Sequence, residues 1–416
     1  MSKKEQTRPM PAKPGPAGTH SYFMSYPLFC VGTDGEGLII TGGGGGGKAY
    51  GVINYLQAHV AIQNESTGHV TMETIASMDT GSGAAMSLDY TPAQGGVWIC
   101  GLGSSCLLFK FNDDTLSMEP LFKFRSETLA ESHLSNFAKL AEINNIIHIL
   151  TGGEDKVLRL WRVDQAGGSG TVITGISLVR EFSDHQAEIV DADWFPANQQ
   201  FLSCGKDGTV KVWSMNSSAP LTTIQPPKDK RVDQSLNLSI RSAYFINNAS
   251  RDIVVLCHYP RGPAFLIVFS QTNPTTPITN VLVSRTITPS MGINQTRDKV
   301  AVSHANGEKD IYSLVPGCKL LSRTPNHCHE MPPCKTVFVN NQLVVSGSPD
   351  FSLNFFDPRM NASSFFTNLI RFILWLLILV LLILLVVILF FPSGTDLLHK
   401  TFPDAMAILH GQRDEL

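Results

Sequence analysis

Three residues between positions 185 and 207 have the types found in a serine hydrolase triad: His185, Ser203 and Asp207. A histidine held by a carboxylate can activate a serine hydroxyl as a nucleophile, so this segment first suggests acyl-transfer chemistry. The surrounding residues suggest a structural alternative. Apolar and polar residues alternate on both sides of Asp207-Gly208, which predicts two or three strands joined by a tight turn at that pair.

The same segment closely resembles a WD40 repeat from residue 185 to residue 213. In that pattern a buried hydrogen-bond chain ties one blade of a β-propeller together. The matching residues here are His185, Ser203, Asp207 and Trp213. We therefore expect these four residues to be structural and not catalytic.

The repeat recurs along the chain. A second copy ends at Trp161, with Asp155 six residues before it but without the histidine. Weaker copies have third strands that end near residues 109, 269, 312 and 356. With the ends at Trp161 and Trp213 included, successive ends lie 43 to 56 residues apart. This spacing is close to the roughly 40 to 45 residues of a propeller blade. With an opening unit from about residue 22 to residue 63, the sequence predicts an all-β fold, a seven-bladed WD40-type β-propeller over residues 21–358.

A propeller has no catalytic machinery of its own, because its faces and rim loops hold partners. We therefore expect a binding protein and not an enzyme. Function is then expected in a loop that differs from the others.

One loop stands apart, because six consecutive glycines, Gly42 to Gly47, precede Lys48. The run matches the first part of a phosphate-binding loop. However, Ala49 takes the position of the hydroxyl that would hold Mg²⁺, and residues 50–60 are β-like where such a loop needs a helix N-terminus. A slack connection is a second alternative, but a hairpin does not need six glycines. We expect this chain to bind no nucleotide and its glycine backbone to approach a partner closely.

The composition points to a membrane anchor. Only 16% of the 416 residues are charged, against roughly 25% in an ordinary soluble domain. Residues 372–391 are 20 consecutive residues without a charge, Gly, Pro or hydroxyl. As a helix they would span about 30 Å, the hydrocarbon thickness of a bilayer. The sequence therefore predicts a single C-terminal transmembrane helix.

Flanking residues predict the orientation of that helix. Residues 1–20 hold four prolines and no apolar run, so we expect a flexible leader and no signal peptide. Arg359 and Arg371 precede the span, and no basic residue follows it until Lys400. The positive-inside rule then keeps the propeller and a juxtamembrane linker, residues 359–371, in the cytosol. The tail, residues 392–416, is expected in the lumen.

The last four residues, Arg413 to Leu416, resemble the luminal retrieval signal of the endoplasmic reticulum. That signal works at a free luminal C-terminus, where the orientation argument places it. The sequence therefore predicts residence in the endoplasmic reticulum membrane and recognition of the C-terminus by a retrieval receptor.

The order of these parts resembles a known family. A strand, a glycine run, Lys48 and a closing Gly51-apolar-x-Asn54 step precede a WD-type propeller, one span and a luminal tail. This order is similar to the endoplasmic-reticulum guanine-nucleotide exchange factors that start COPII coat assembly, the prolactin regulatory element-binding protein family. The resemblance implies a partner, the secretion-associated Ras-related GTPase, and exchange without bond-making chemistry.

In that family the glycine segment is called the K loop; it protrudes from the first blade, binds K⁺ and contacts the GTPase near its nucleotide. The resemblance implies that the partner-binding positions are Gly42, Gly43, Gly44, Gly45, Gly46, Gly47 and Lys48. It implies candidate K⁺ ligands at the backbone carbonyls of Thr41, Gly42, Gly43 and Gly44. Exchange itself is assigned to Gly51, Val52 and Asn54, with Val52 as a wedge against the switch regions of the GTPase.

Two other features are set aside, and one alternative stays open. The histidines and cysteines of residues 318–334 match no zinc-module spacing. The basic stretch 228–231 is interrupted by an acid, and the net charge is −3, so we expect no nucleic-acid partner. The alternative to exchange is a membrane-tethered WD40 scaffold without that activity.

Overall fold

The computed structural model describes residues 10–14, 19–45, 51–64, 69–127, 134–166, 172–195, 199–230, 232–233, 235–324, 328–359 and 372–383. Two compact units divide the chain at residues 358 and 359. The first unit consists of seven antiparallel sheets, six with four strands and one with five. The predicted seven-bladed propeller is therefore confirmed.

The strands follow the chain in blade order. The first two, β1 (Met10–Pro14) and β2 (Thr19–Phe23), belong to the last blade. Blade 1 holds β3 (Leu28–Thr33), β4 (Leu38–Gly43), β5 (Tyr55–Gln63) and β6 (Val70–Asp79). Blade 2 holds β7 (Ser87–Thr91), β8 (Val97–Leu102), β9 (Ser105–Asn112) and β10 (Ser117–Arg125), with a 3₁₀ turn at Ala93–Gly95.

Blade 3 holds β11 (Ser135–Ile143), β12 (Ile146–Gly153), β13 (Leu158–Ala166) and β14 (Val172–Phe182). Blade 4 holds β15 (Ile189–Phe195), β16 (Gln200–Gly205), β17 (Val210–Ser214) and β18 (Thr222–Ile224). Blade 5 holds β19 (Ser239–Phe245), β20 (Ile253–His258), β21 (Ala264–Phe269) and β22 (Pro277–Ser284). Blade 6 holds β23 (Ser290–Ile293), β24 (Lys299–Ser303), β25 (Lys309–Ser313) and β26 (Lys319–Arg323).

Both ends of the propeller sequence build blade 7. Its sheet runs β1, β2, β29 (Ser352–Phe356), β28 (Val344–Gly347) and β27 (Lys335–Phe338). The pairing of β2 with β29 closes the ring, with Ser21 opposite Asn354. Residues 10–14, which were expected in a flexible leader, form the edge strand β1. Pairing with β1 covers an edge of β2 that would otherwise present unpaired backbone groups.

The core lies between neighbouring blades. Strands β8 and β21 are buried along their whole length, as expected for strands covered on both faces. Outer strands such as β22 instead alternate between exposed and more buried residues. Apolar side chains from adjacent sheets pack face to face, and this stacking fixes the position of each connecting loop.

The second unit is described only in part. Residues 372–383 are helical, and their apolar side chains are exposed. The remainder of the predicted span, residues 384–391, lies outside the described residues, as do the linker after residue 359 and the tail. Within the described part of the chain, no helix is long and apolar enough to cross a membrane.

Candidate functional site

The glycine run leads into the connection between β4 and β5 in blade 1. This connection comprises residues 44–54, whereas β8 and β9 at the corresponding place in blade 2 are joined through residues 103 and 104 alone. Residues 46–50, which include the predicted loop residues Gly46, Gly47 and Lys48, lie outside the described residues. Both ends of the connection are described.

Two of the glycines belong to a strand. Gly42 and Gly43 are buried at the end of β4 and pair with Leu56 and Tyr55 of β5. A Cβ on Gly42 would lie 2.6 Å from Ala85 Cβ, and a Cβ on Gly43 would lie 2.0 Å from the Pro27 carbonyl oxygen. Close packing therefore explains these two glycines, where the sequence suggested backbone freedom.

The next two glycines, Gly44 and Gly45, contact the segment of the connection that leads into β5. Gly44 has φ +145°, and a Cβ there would lie 2.2 Å from Asn54 Oδ1. A Cβ on Gly45 would lie 2.6 Å from Val52 Cβ. The structure thus brings together four predicted site residues, because the segment that carries Val52 and Asn54 folds directly onto the backbone of Gly44 and Gly45.

Asn54 is fully buried and holds the base of the connection. Its side-chain Nδ2 donates to the Gly81 carbonyl at 2.9 Å, and its backbone carbonyl accepts from Thr80 N at 3.0 Å. Among the described residues, no donor reaches its side-chain oxygen Oδ1. An unsatisfied buried polar atom costs about 1–3 kcal/mol, so this oxygen is a candidate ligand for a cation.

Val52 and Gly51 differ from Asn54 in exposure. Gly51 is exposed at φ +81°, and no atom of the described residues lies within 4 Å of the position of a Cβ. Val52 is half-buried and packs with Tyr55 against the core between blades 1 and 7. Part of the Val52 side chain therefore faces solvent from a fixed backbone, as a contact residue requires.

A chain of hydrogen bonds supports β4 behind the glycines. The Thr41 hydroxyl lies 2.7 Å from Tyr26 Oη and 2.8 Å from His59 Nε2, and His59 Nδ1 lies 2.9 Å from Thr74 Oγ1. Thr41, whose backbone carbonyl is a predicted K⁺ ligand, is fully buried within β4, and Tyr26 Oη lies 3.4 Å from that carbonyl oxygen. Burial lowers the pKa of His59 to about 3.

This buried histidine makes the propeller sensitive to acid. Below pH 6.5 the unfolded chain takes up a proton that folded His59 does not bind until the pH approaches 3. The free energy of unfolding should therefore fall with pH in that window, by up to about 1.4 kcal/mol per pH unit from this residue. Urea unfolding of the wild type and of His59→Gln between pH 6 and pH 4.5 measures the effect. Equal slopes in the two proteins would contradict this assignment.

The triad-like residues of blade 4 form a continuous network. Trp213 Nε1 donates to Ser203 Oγ at 2.9 Å, and Ser203 Oγ lies 2.8 Å from His185 Nε2. His185 Nδ1 donates to Asp207 at 2.8 Å. Burial acts to raise the pKa of Asp207, but the hydrogen bonds from His185, the Gln186 amide and Thr209 together outweigh it, so that pKa lies well below its usual range. Ser203 is fully buried, which leaves a substrate no access.

Blade 7 contains a variant of this network, and blade 3 contains a buried ion pair; the sequence revealed neither. In blade 3, where the histidine is missing, Arg159 Nη1 lies 2.6 Å from Asp155 Oδ2, with both side chains buried. In blade 7, His329 Nε2 lies 2.6 Å from Ser346 Oγ, 17 residues along the chain. The corresponding spacing in blade 4 is 18 residues. This similar spacing could have identified His329 from the sequence as the histidine of blade 7. Instead, His329 was considered above only as part of the cysteine- and histidine-rich segment examined for zinc.

Comparisons with known proteins agree with this architecture. The family model described as "WD domain, G-beta repeat" matches residues 176–214, which contain the blade 4 network. Restriction of telomere capping protein 1 from Candida dubliniensis is 32% identical over 106 residues, 24% of this chain and 9% of the relative. Human striatin-4 is 23% identical over 248 residues, 57% of this chain and 30% of the relative.

Among solved structures, Chaetomium thermophilum Raptor superposes with a TM-score of 0.59 at 12% identity, over 81% of this chain and 28% of that chain. Each of these matches covers less than a third of the other protein's length. The identities to striatin-4 and Raptor are too low to show more than a shared fold. The chain is thus a WD40-type propeller, an architecture that generally mediates contacts between proteins.

Proposed function

We propose that this chain is a guanine-nucleotide exchange factor for the secretion-associated Ras-related GTPase that starts COPII coat assembly. The observation that carries the proposal is the β4–β5 connection, in which the segment that contains Val52 and Asn54 packs against the backbone of Gly44 and Gly45. This feature interrupts an otherwise regular propeller, and it coincides with the sequence elements that resemble the exchange-factor family.

Exchange requires no bond to be made or broken. A protein that binds the opened, nucleotide-free GTPase more tightly than the loaded form lowers the barrier to nucleotide release by that difference in affinity. The solvent-facing part of Val52 would contact the switch regions, while buried Asn54 keeps the connection in one conformation through Gly81 and Thr80. The chain itself needs no nucleotide site for this function.

The connection also contains oxygen atoms that could bind K⁺, an ion that takes oxygen ligands. Asn54 Oδ1, which no described donor reaches, faces Gly44, so we propose that this oxygen and the backbone carbonyl of Gly44 hold the ion. Gly42 and Gly43 pair within the sheet on both sides and are less suited than the sequence suggested. The ion would supply positive charge that orders the connection.

If K⁺ orders the connection, its removal should slow exchange. We expect nucleotide release stimulated by the full-length chain to fall severalfold when KCl is replaced by choline chloride at equal ionic strength. An Asn54→Ala variant, which lacks this oxygen, should show the same low rate in both salts. Equal rates in both salts for the wild type would exclude a functional ion at this position.

For the rest of the chain we propose the membrane arrangement expected from the sequence. Residues 372–391 would anchor the protein in the endoplasmic reticulum membrane, with the propeller in the cytosol and residues 392–416 in the lumen. Arg413 to Leu416 would bind a retrieval receptor. The apolar side chains exposed on residues 372–383 support this proposal.

The second candidate function is a membrane-tethered WD40 scaffold, which the propeller itself favours. The two functions separate in one assay: release of a fluorescent GDP analogue from the purified GTPase is followed with and without the full-length chain in detergent. An exchange factor accelerates release, whereas a scaffold binds the GTPase without changing the rate.

A further inference from the structure

A cavity of about 290 Å³ lies at the centre of the ring, among the starts of the first strands of several blades. Leu134, Pro289 and Cys334 line it, and they directly precede β11, β23 and β27. In an up-and-down blade, the chain enters the first strand at the same end at which strands two and three connect. The cavity therefore opens on the face of the propeller that carries the β4–β5 connection.

The charges that line the cavity do not balance. Its cationic side chains are Lys139, Lys206, Arg241 and Lys335, and its carboxylates are Glu188 and Asp191. Lys206 Nζ lies 2.5 Å from Glu188, and Lys139 Nζ lies 3.7 Å from Asp191. Across the described residues, no carboxylate comes within ion-pair distance of the other two cations. The lining therefore carries four cationic side chains against two carboxylates, and Arg241 and Lys335 give it an excess of positive charge.

Lys335 is the inner of these two cations. It begins β27, is half-buried, and lines both this cavity and a second one of about 410 Å³ towards the other face. Burial lowers its pKa, and repulsion from Lys139 lowers it further, although Asp191 and Asp89 act in the opposite direction. A bound anion would add to the partial stabilisation that Asp191 and Asp89 give this ammonium.

The rim of the cavity is apolar. Met86 and Leu134 line it with 42% and 44% of their side chains exposed. The exposed Arg241 Nε donates to the Pro289 carbonyl at 2.6 Å, which fixes the guanidinium at the same rim. A free inorganic anion would make no use of apolar neighbours, whereas a peptide presents a carboxylate and apolar side chains together.

We propose that this cavity binds an acidic peptide segment of a partner protein, with one carboxylate between Lys335 and Arg241 and apolar neighbours against Met86 and Leu134. The proposal stands independently of nucleotide exchange. It assigns a second binding site to the face that carries the β4–β5 connection.

A phage library of random heptapeptides, panned against the full-length chain immobilised in detergent, tests the proposal. We expect enrichment of Asp or Glu flanked by apolar residues. A synthetic peptide of the enriched sequence should bind at least about tenfold more weakly to Lys335→Met, a loss of about 1.4 kcal/mol. The matched control is Lys319→Met, which removes an exposed lysine from the outer strand β26 and should leave binding unchanged.

Three outcomes would overturn the proposal: no acidic enrichment, equal binding by Lys335→Met, or equal binding by a peptide with Gln in place of the acid. A separate experiment measures the melting temperature of the wild type and of Lys335→Met with and without sodium phosphate. Thermal stabilisation by phosphate that Lys335→Met abolishes, without any selected peptide, would assign the cavity to a small anion and refute the peptide site. If Lys335→Met does not fold, Arg241→Gln at the exposed rim provides the same comparison.

Discussion

The Gly44→Ala variant is expected to reduce the rate of stimulated nucleotide release at least about tenfold, which corresponds to about 1.4 kcal/mol in the activation barrier for release. The added Cβ would lie 2.2 Å from Asn54 Oδ1, so the segment that contains Val52 and Asn54 cannot keep its packing against Gly44. The connection would then present Val52 in many conformations, and the affinity for the opened GTPase would fall. Release of a fluorescent GDP analogue with the full-length variant measures the change.

The matched control for this substitution is Gly103→Ala. Gly103 occupies the corresponding connection of blade 2 at φ +71°, and its nearest neighbour is a Leu134 methyl 3.6 Å from the Cβ position. Both variants place alanine at a positive φ, but only Gly44→Ala adds a close contact. Loss of exchange in Gly44→Ala with normal exchange in Gly103→Ala would therefore isolate the β4–β5 connection. Wild-type exchange by Gly44→Ala would refute the proposed site.

Two further variants address the side chains directly. Val52→Asp should reduce exchange strongly with little loss of stability, because the residue is only half-buried. Asn54→Ala should also reduce exchange, at a cost of about 1 kcal/mol from the lost hydrogen bond to Gly81. If both proteins stimulated release normally, the connection would have no part in exchange.

Arg159→Met is expected to cause the largest loss of stability, about 3–5 kcal/mol. Arg159 and Asp155 pair at 2.6 Å with side chains only 1% and 0% exposed, so removal of the arginine leaves a buried carboxylate without its counter-charge. Denaturant unfolding at pH 7 measures the loss. The double variant Arg159→Met, Asp155→Asn should recover part of it, since the uncompensated charge is then absent.

Arg162→Met provides the control on the same strand. Arg162 pairs with Asp164 at 3.0 Å, but the two side chains are 51% and 29% exposed, and such surface pairs contribute at most about 1 kcal/mol. A loss below 1 kcal/mol for Arg159→Met, equal to that of the control, would show that the buried pair does not stabilise blade 3.

The number of blades could be predicted because strand ends recur at a regular spacing, with Trp161 and Trp213 as clear markers. The boundaries of blade 1 could not, since it lacks these markers and extends to Asp79. Closure of the ring was also hidden, because the pairing of Ser21 with Asn354 joins residues more than 300 positions apart. Local patterns carry no information about such a partner.

The candidate site shows the same limit. The sequence identified the glycine run, but it could not show that Gly42 and Gly43 are strand residues packed against Ala85 and Pro27. It also assigned no role to Arg159, because the buried ion pair of Arg159 with Asp155 is not part of the repeat pattern. These roles depend on contacts between distant segments.

The closure of the ring has a mechanical consequence. Strand β29 is the last strand before the chain leaves the propeller, and it is hydrogen-bonded along both edges, with five residue pairs to β2 and four to β28. A pull on the C-terminal segment must therefore shear two ladders at once and cannot peel off a single edge strand. The propeller is reinforced at the point where tension from an anchored C-terminus would enter it.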